Sequence, residues 1–182
     1  MTRFILSLSF LIFSFVAVSQ KYKPADAESK VHFVIKNFGI NTGGDVSGLG
    51  GDINFVPGNI AASSFNVSVN INTIDTDNEK RDGHLKGKEY FDAEKYPGII
   101  LKSTKIGRTL KSASGWYYFK GTLTMHGITK PIEFPFTATA KANDYLFVGG
   151  FTINRLDFGV GKNSSVLSNA VKVSLSVLAK KT

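Results

Sequence analysis

Apolar and polar residues alternate with a period of two along most of this chain, and this pattern restricts its fold more than any other feature. Side chains that point alternately to two faces indicate β-strands with one buried face. The clearest segment places Phe65, Val67, Val69 and Ile71 on one face, opposite asparagine and serine. Similar alternation predicts roughly eight strands in all, with further apolar faces at Val31 to Ile35, Tyr117 to Met125, Ile132 to Phe136, Phe147 to Ile153 and Val171 to Val177.

Residues that favour turns separate these strands. They include a glycine-rich stretch from Gly39 to Gly51, the triplet Pro57-Gly58-Asn59 and the pair Asn143-Asp144. Short antiparallel strands joined by such turns indicate an all-β domain, either a sandwich or a closed barrel. The pattern of residues alone does not choose between the two.

One segment departs from the strand pattern. Thr76 and Glu79 have the spacing of a capping box, and the acidic residues that follow Thr76 would complement a helix dipole. A short helix is therefore predicted from about Asn78 to Lys86. Asp77 and Arg81 stand one helical turn apart, so an ion pair between them is the structural interpretation of this polar segment.

The first residues have the features of a signal peptide. Arg3 precedes an apolar stretch from Phe4 to Val18, and the small residues Ala17 and Ser19 suit a cleavage site. We expect cleavage of residues 1–19, which leaves one domain over residues 20–182 in a periplasmic or secreted protein. The chain has no cysteine, which excludes disulfides, thiolate chemistry and a lipobox anchor.

Composition and motifs narrow the function. The formal net charge of +8 favours transient contact with anionic membrane surfaces, although a solvated basic surface is the preferred explanation of it. Nucleic acid is not expected as a partner, because export removes the usual partner and no run of five or more basic residues occurs. Nucleophile elbows, phosphate-binding loops and zinc motifs are missing from the sequence, and its three histidines are far apart. We therefore expect neither a metal or cofactor nor catalysis.

Four ordered elements resemble the YceI-like polyisoprenoid-binding family. The first is the polar segment from Asn72 to Leu85, and the second is Tyr90-Phe91-Asp92 followed by Tyr96-Pro97. The third is a hairpin with the pattern G-x-L-T-x-x-G-x-T-K at Gly121 to Lys130, and the fourth is R-x-D-F-G at Arg155 to Gly159. The resemblance covers essentially the whole chain after residue 19. It implies a lipocalin-like antiparallel eight-stranded barrel with a short helical insertion.

The resemblance also implies an elongated apolar interior that holds a quinone or polyprenyl phosphate. From alternation alone, inward side chains could equally form a packed core, since both need apolar residues. The chain has 15 phenylalanines, which suit the walls of a lipid tunnel. The residues expected to contact the lipid are Phe33, Ile35, Phe65, Val67, Val69, Phe91, Leu101, Phe119, Leu123, Phe134, Phe136, Phe151, Ile153 and Phe158.

The polar residues have competing interpretations. Arg81 and His84 could hold a lipid headgroup at the barrel mouth, whereas Asp82 is expected to serve the helix. Arg155 and Asp157 are expected to pair and fix the end of the barrel. His32 and His126 are expected to be solvent-exposed.

Several functions remain open at this stage. A carrier or scavenger of isoprenoid lipid is the preferred one, and a fatty-acid carrier is close to it. The alternatives are an enzyme that acts on such a lipid through Arg81, Asp82 and His84, and a filled barrel with a structural or stress-related role. An exposed strand edge could also support a homodimer.

Overall fold

A computed structural model describes residues 20–109 and 115–182, so the predicted signal peptide lies outside the described residues. The described chain is built mainly from strands, as the alternation predicts. Helical structure is limited to α1 (Glu79–Lys86) and four short 3-10 turns. The strands are β1 (Lys21–Pro24), β2 (Lys30–Asn37), β3 (Ile40–Asp45), β4 (Gly50–Asn54), β5 (Ser64–Asn70), β6 (Gly98–Arg108), β7 (Trp116–Met125), β8 (Ile128–Lys141), β9 (Asp144–Asn154) and β10 (Leu167–Lys181).

The strands form one closed antiparallel barrel. Strands β4 to β10 follow one another as neighbours, and β10 pairs with β2 along its first part and with β1 at its end. Because β1 also pairs with β4, the ring closes. Strands β1 and β2 form one interrupted strand and β3 and β4 a second, so the ten segments make an eight-stranded barrel. The predicted fold class is confirmed.

The two interruptions lie side by side. The carboxylate of Asp26, in the turn between β1 and β2, accepts hydrogen bonds from the backbone N–H groups of Gly48 at 3.0 Å and Leu49 at 2.8 Å. These residues connect β3 to β4. One charged side chain therefore joins both bends, where backbone groups lack ladder partners.

The glycine-rich stretch from Gly39 to Gly51 is not the single turn that the sequence suggested. It contains β3 and the start of β4. Gly51 shows why glycine occurs inside a strand: its φ is +104°, and a Cβ there would lie 2.2 Å from the carbonyl oxygen of Asn66 on β5. Glycine therefore marks a close approach of two backbones as well as turns.

The barrel has two different ends. One end, called here the open end, carries the β2–β3 and β7–β8 turns and the segment 71–97 with α1. At this end β3 is an edge strand, bridged only at its last residue by mutual backbone hydrogen bonds between Asp45 and Asp75. The other end, called the closed end, carries the β8–β9 turn and the β1–β10 pairing that completes the ring.

Helix α1 occupies the predicted place, but its cap differs from the prediction. Asn78 is the N-cap, and its side chain accepts a hydrogen bond from the backbone N–H of Arg81 at 2.9 Å. Thr76 therefore does not form the capping box, and its side chain bonds Arg81 and Asp82 instead. Among the described residues, no helix has the length and hydropathy needed to cross a bilayer.

Aromatic side chains fill the closed end. Phe55 is fully buried, and its ring contacts those of Tyr117, Tyr145 and Phe147 at centroid distances of 5.0–5.3 Å with edge-to-face geometry. Phe65 continues this cluster toward Phe136, at 5.6 Å. Such ring pairs pack densely, so the closed end of the barrel is a solid core.

Candidate functional site

An apolar cavity of about 550 Å³ occupies the part of the barrel next to the open end. Its wall consists of inward-facing side chains, and the strand residues that form most of it are Val31, Phe33, Ile35, Val67, Val69, Ile99, Leu101, Leu123, Met125, Phe151, Ile153, Val171, Val173, Leu175 and Val177. Polar residues gather at the open end, where Asn37, Thr42, Lys162 and Ser164 contribute to the rim. The cavity therefore suits a molecule with a hydrocarbon body and a polar end.

The aromatic core is the floor of this cavity. A second, small cavity of about 60 Å³ lies between the large cavity and the aromatic core. It shares the lining residues Val67, Leu101, Leu175 and Val177 with the large cavity. Beyond it, the rings of Phe119 and Phe134 stack at 5.0 Å and stop any further extension. The interior is thus hollow at one end and packed at the other.

Most of the residues predicted to contact a lipid lie on the wall of the large cavity. They are Phe33, Ile35, Val67, Val69, Phe91, Leu101, Leu123, Phe151 and Ile153. The others lie outside it: Phe65, Phe119, Phe134 and Phe136 belong to the aromatic core, and Phe158 packs against Leu123 and Met125 behind the wall. Alternation shows which side chains point inward, but it does not show which of them meet and fill the space.

The residues predicted from the sequence leave out Val31, Ile99 and Met125 and two further groups of wall residues. The β10 residues Val171, Val173, Leu175 and Val177 show clear alternation, which could have identified them. Ile71 continues the alternation of β5 and could also have been identified, whereas Ile74 and Leu85 come from the part of segment 71–97 that has no strand periodicity. No simple sequence signal marks these two as wall residues.

Both predicted polar residues border the cavity, but they are held differently. His84 is exposed, and its ring lies 4.9 Å from that of Tyr90. Arg81 donates from Nε to Thr76 Oγ1 at 2.8 Å and from Nη2 to the Thr76 carbonyl at 2.5 Å. The predicted ion pair of Arg81 with Asp77 is therefore replaced by bonds to Thr76. His84 is the freer of the two toward the opening.

Asp82 has the structural role that was expected for it. Its side chain is buried, and Oδ1 accepts hydrogen bonds from Thr76 Oγ1 at 2.5 Å and from the Thr76 backbone N–H at 3.1 Å. Thr76 is thus bonded by both Asp82 and Arg81. This network fixes the start of α1 against the segment that covers the edge of β3.

Replacing Asp82 with alanine is expected to lower the free energy of unfolding by about 2 kcal/mol, because two buried donors of Thr76 lose a charged acceptor. Urea denaturation followed by tryptophan fluorescence measures the change. Glu79, exposed in the same helical turn, is the matched control, and Glu79→Ala should cost under about 1 kcal/mol. Equal losses in the two variants would show that only the helix dipole matters.

Arg155 is buried and holds the loop that borders the cavity. It donates to the carbonyl oxygens of Val160 at 2.8 Å, Lys162 at 2.8 Å and Ser168 at 3.0 Å, and to Asn169 Oδ1 at 3.0 Å. The predicted pair with Asp157 is wrong, because both residues lie in the 3-10 turn Arg155–Phe158 and Asp157 is exposed. Arg155 fixes the end of the barrel through backbone carbonyls.

The two histidines predicted to be exposed are both engaged. His32 Nδ1 lies 2.6 Å from Asp45 Oδ1, and Lys30 lies 3.2 Å from the same carboxylate. Partial burial would raise the pKa of Asp45, but the hydrogen bonds and positive charge of His32 and Lys30 outweigh it and hold the pKa below its usual range. His126 Nδ1 lies 3.2 Å from the Phe158 carbonyl oxygen. Within residues 20–109 and 115–182, no three metal-ligating side chains cluster.

The closed eight-stranded barrel with a large apolar cavity defines a lipocalin-like barrel protein. Residues 22–179 match the model of the YceI-like domain, and the chain belongs to that family. It is similar to a UPF0312 protein of Yersinia enterocolitica, with 32% identity over 178 residues, covering 94% of this chain and 91% of the relative. The UPF0312 protein of Yersinia pestis strain Pestoides F is 31% identical, with 94% and 93% covered.

Two solved structures support the same fold. BcnA of Burkholderia cenocepacia matches with a TM-score of 0.78 and 25% identity, covering 85% of this chain and 98% of BcnA. A polyisoprenoid binding domain from Saccharophagus degradans matches with a TM-score of 0.70 and 16% identity, covering 88% and 98%. At 16% identity, the similarity to the domain from Saccharophagus degradans shows a shared fold only.

Proposed function

We propose that this protein is an extracytoplasmic carrier or scavenger that holds one isoprenoid lipid, of the quinone or polyprenyl phosphate type, inside its barrel. The observation that carries the proposal is the apolar cavity, packed at its floor and bordered by polar residues at its rim. The structurally similar domain from Saccharophagus degradans is described as polyisoprenoid binding. Export rests on the signal-peptide features of residues 1–19.

The cavity sets the length of the tail that fits. If each methylene-sized group takes about 30 Å³, similar to the volume of one water molecule in the liquid, the cavity of about 550 Å³ holds on the order of 20 carbons, or four isoprene units. Their burial yields roughly 16 kcal/mol before immobilisation is subtracted. A longer tail would have to leave part of its length at the rim.

The polar residues of α1 support binding without turnover. Asp82 is buried and bonded to Thr76, and Arg81 is bonded to the same residue, so neither is placed as a free proton donor or acceptor. His84 lies beside Tyr90 at the mouth, with the two rings tilted at 60°, and there it can donate a hydrogen bond to a quinone or phosphate oxygen. A headgroup contact of this kind adds affinity and orientation but requires no reaction.

Protein purified from its native host is expected to carry a lipid with an isoprenoid tail, because a tail inside the barrel covers the largely apolar wall of the cavity and removes it from water. Organic extraction followed by mass spectrometry identifies it. The emptied protein should then bind quinones with increasing affinity up to about four isoprene units, beyond which the gain per unit should fall away as the cavity fills.

Three outcomes discriminate between the functions. Extraction of fatty acids alone would favour a fatty-acid carrier, and the lack of any lipid together with no quinone uptake would contradict the proposal. Replacing His84 with alanine should leave uptake of the quinone within about tenfold. If that variant instead accumulated bound lipid that the wild-type protein converts to a product, the protein would be an enzyme.

A further inference from the structure

Two large apolar side chains project from the open end into solvent. Phe38 is 73% exposed and Ile40 is 71% exposed, whereas the other exposed large apolar side chains of the described chain do not exceed 43%. Both belong to the tip of the β2–β3 hairpin. Highly exposed large apolar side chains are therefore confined, among the described residues, to the tip of this hairpin.

The backbone at this tip makes the choice of phenylalanine unfavourable for folding alone. Phe38 and Gly39 form a two-residue turn with φ values of +50° and +78°. A turn of this kind favours Asn-Gly, and a bulky residue with positive φ is strained. Phe38 therefore strains the backbone and exposes a ring, while its N–H bonds the carbonyl oxygen of Val166 at 2.8 Å. Such an outlier points to a function for the side chain.

The tip stands directly beside the opening of the cavity. Asn37 and Thr42, which flank it on β2 and β3, line the cavity, and so do Val166 and Leu167 from the loop that the tip contacts. A surface in contact with Phe38 and Ile40 would therefore face the cavity mouth. We name the segments 36–44 and 159–172 the rim.

The positive charge of the rim indicates which kind of surface the tip would contact. These two segments contain Lys36, Lys162 and Lys172 and no aspartate or glutamate, whereas Glu89 of the neighbouring segment 71–97 also borders the cavity. Lys36 is exposed beside the tip, and Lys162, with 85% of its side chain exposed, pairs with Glu89 at 3.3 Å. Apolar side chains that enter the acyl region, flanked by lysines that meet anionic headgroups, suit a bilayer surface.

We propose that Phe38 and Ile40 insert into an anionic bilayer and dock the barrel with its cavity mouth toward the membrane. In this orientation a lipid can pass between the bilayer and the cavity without entering water. This role in lipid transfer rests on the proposed function. Docking itself depends only on the hairpin tip and the basic rim.

Co-sedimentation of the purified protein with vesicles of phosphatidylcholine and phosphatidylglycerol tests docking, with pure phosphatidylcholine vesicles for comparison. The double variant Phe38→Asn and Ile40→Thr should bind at least about tenfold more weakly. Asparagine suits the positive φ and threonine suits a strand, so this variant should keep or gain thermal stability. Binding of the wild-type protein should weaken with salt and without phosphatidylglycerol.

Trp116→Thr is the matched control, since Trp116 is 42% exposed at the closed end of the barrel. It should leave vesicle binding unchanged. Equal losses in both variants, or no binding to anionic vesicles by the wild-type protein, would overturn docking through the tip. A concentration-dependent dimer that the double variant abolishes, without vesicle binding, would assign the tip to a second copy of this chain.

Transfer of a quinone separates this inference from the proposed function. The double variant should accept a quinone dispersed in detergent as well as the wild-type protein does, but accept it more slowly from vesicles. If the wild-type protein accepts none from either source while still binding vesicles, the carrier function fails and docking stands. Equal rates of acceptance from vesicles would overturn the proposed orientation.

Discussion

The variant Arg155→Met should lose about 3 kcal/mol of its free energy of unfolding, which corresponds to a fall of roughly 10 °C in Tm for a chain of this size. Methionine keeps the apolar stem of the side chain but removes all of its donors. Three backbone carbonyls and the Asn169 side chain then lose their shared partner inside the protein. The bond to Val160 is buried and the other three are partly buried, and leaving such acceptors unsatisfied is costly.

Calorimetry and urea denaturation measure the loss, and Asp157→Ala is the matched control. Asp157 was the partner expected for Arg155, but it is exposed in the structure. Its removal should change stability by under about 0.5 kcal/mol. If the two variants were equally destabilised, an ion pair would hold the turn, and the bonding of Arg155 to the carbonyls of the loop would be refuted.

The identity of the fold was accessible from the sequence because it depends on local rules. Period-two alternation at Phe65 to Ile71 and along β10 dictates strands with one buried face, and the turns between them dictate antiparallel neighbours. Closure was not accessible from alternation. It depends on β1 pairing with both β4 and β10, and β1 is a four-residue strand that has too few residues to show a period.

The sequence predicted that the site would be an apolar interior, but it did not predict which inward-facing residues line the cavity. Phe33, Val69 and Phe151 lie on the cavity wall, whereas Phe119 and Phe134, which have the same alternation, stack on each other in the core. The difference lies in their distance along the barrel axis, which depends on strand register. Register comes from long-range pairing, such as Phe119 with Phe134 across β7 and β8, and a single-strand pattern does not contain it.

The polar contacts were the least predictable part. Spacing along a helix suggested Asp77 as the partner of Arg81, but the structure gives Arg81 and Asp82 a shared partner in Thr76. The reason is that Asn78 caps α1, which leaves the Thr76 side chain to turn inward. Side-chain networks at helix ends depend on which of several capable residues becomes the cap, and several candidates compete in Thr76 to Asn78.

The variant Val173→Trp should weaken binding of a quinone with four isoprene units by about 100-fold while leaving the fold intact. Val173 lies on β10 between Phe33 of β2 and Phe151 of β9, and all three residues line the cavity. An indole there would displace about four methylene groups of the tail, at roughly 0.8 kcal/mol each, and every 1.4 kcal/mol changes Kd tenfold. Titration calorimetry with the emptied protein measures the loss.

Lys172→Trp is the matched control, since it adds the same side chain one residue earlier, on the outer face of β10. It should bind the quinone as the wild-type protein does. The stability of the two variants then tests the hollow interior without any ligand. In a packed core an added indole costs about 1–3 kcal/mol, whereas in a cavity it gains contacts, so Val173→Trp should unfold at no lower a temperature than the wild-type protein. A lower Tm for Val173→Trp, with unchanged quinone affinity, would mean that side chains fill this part of the barrel and that the lipid, if one binds, lies elsewhere.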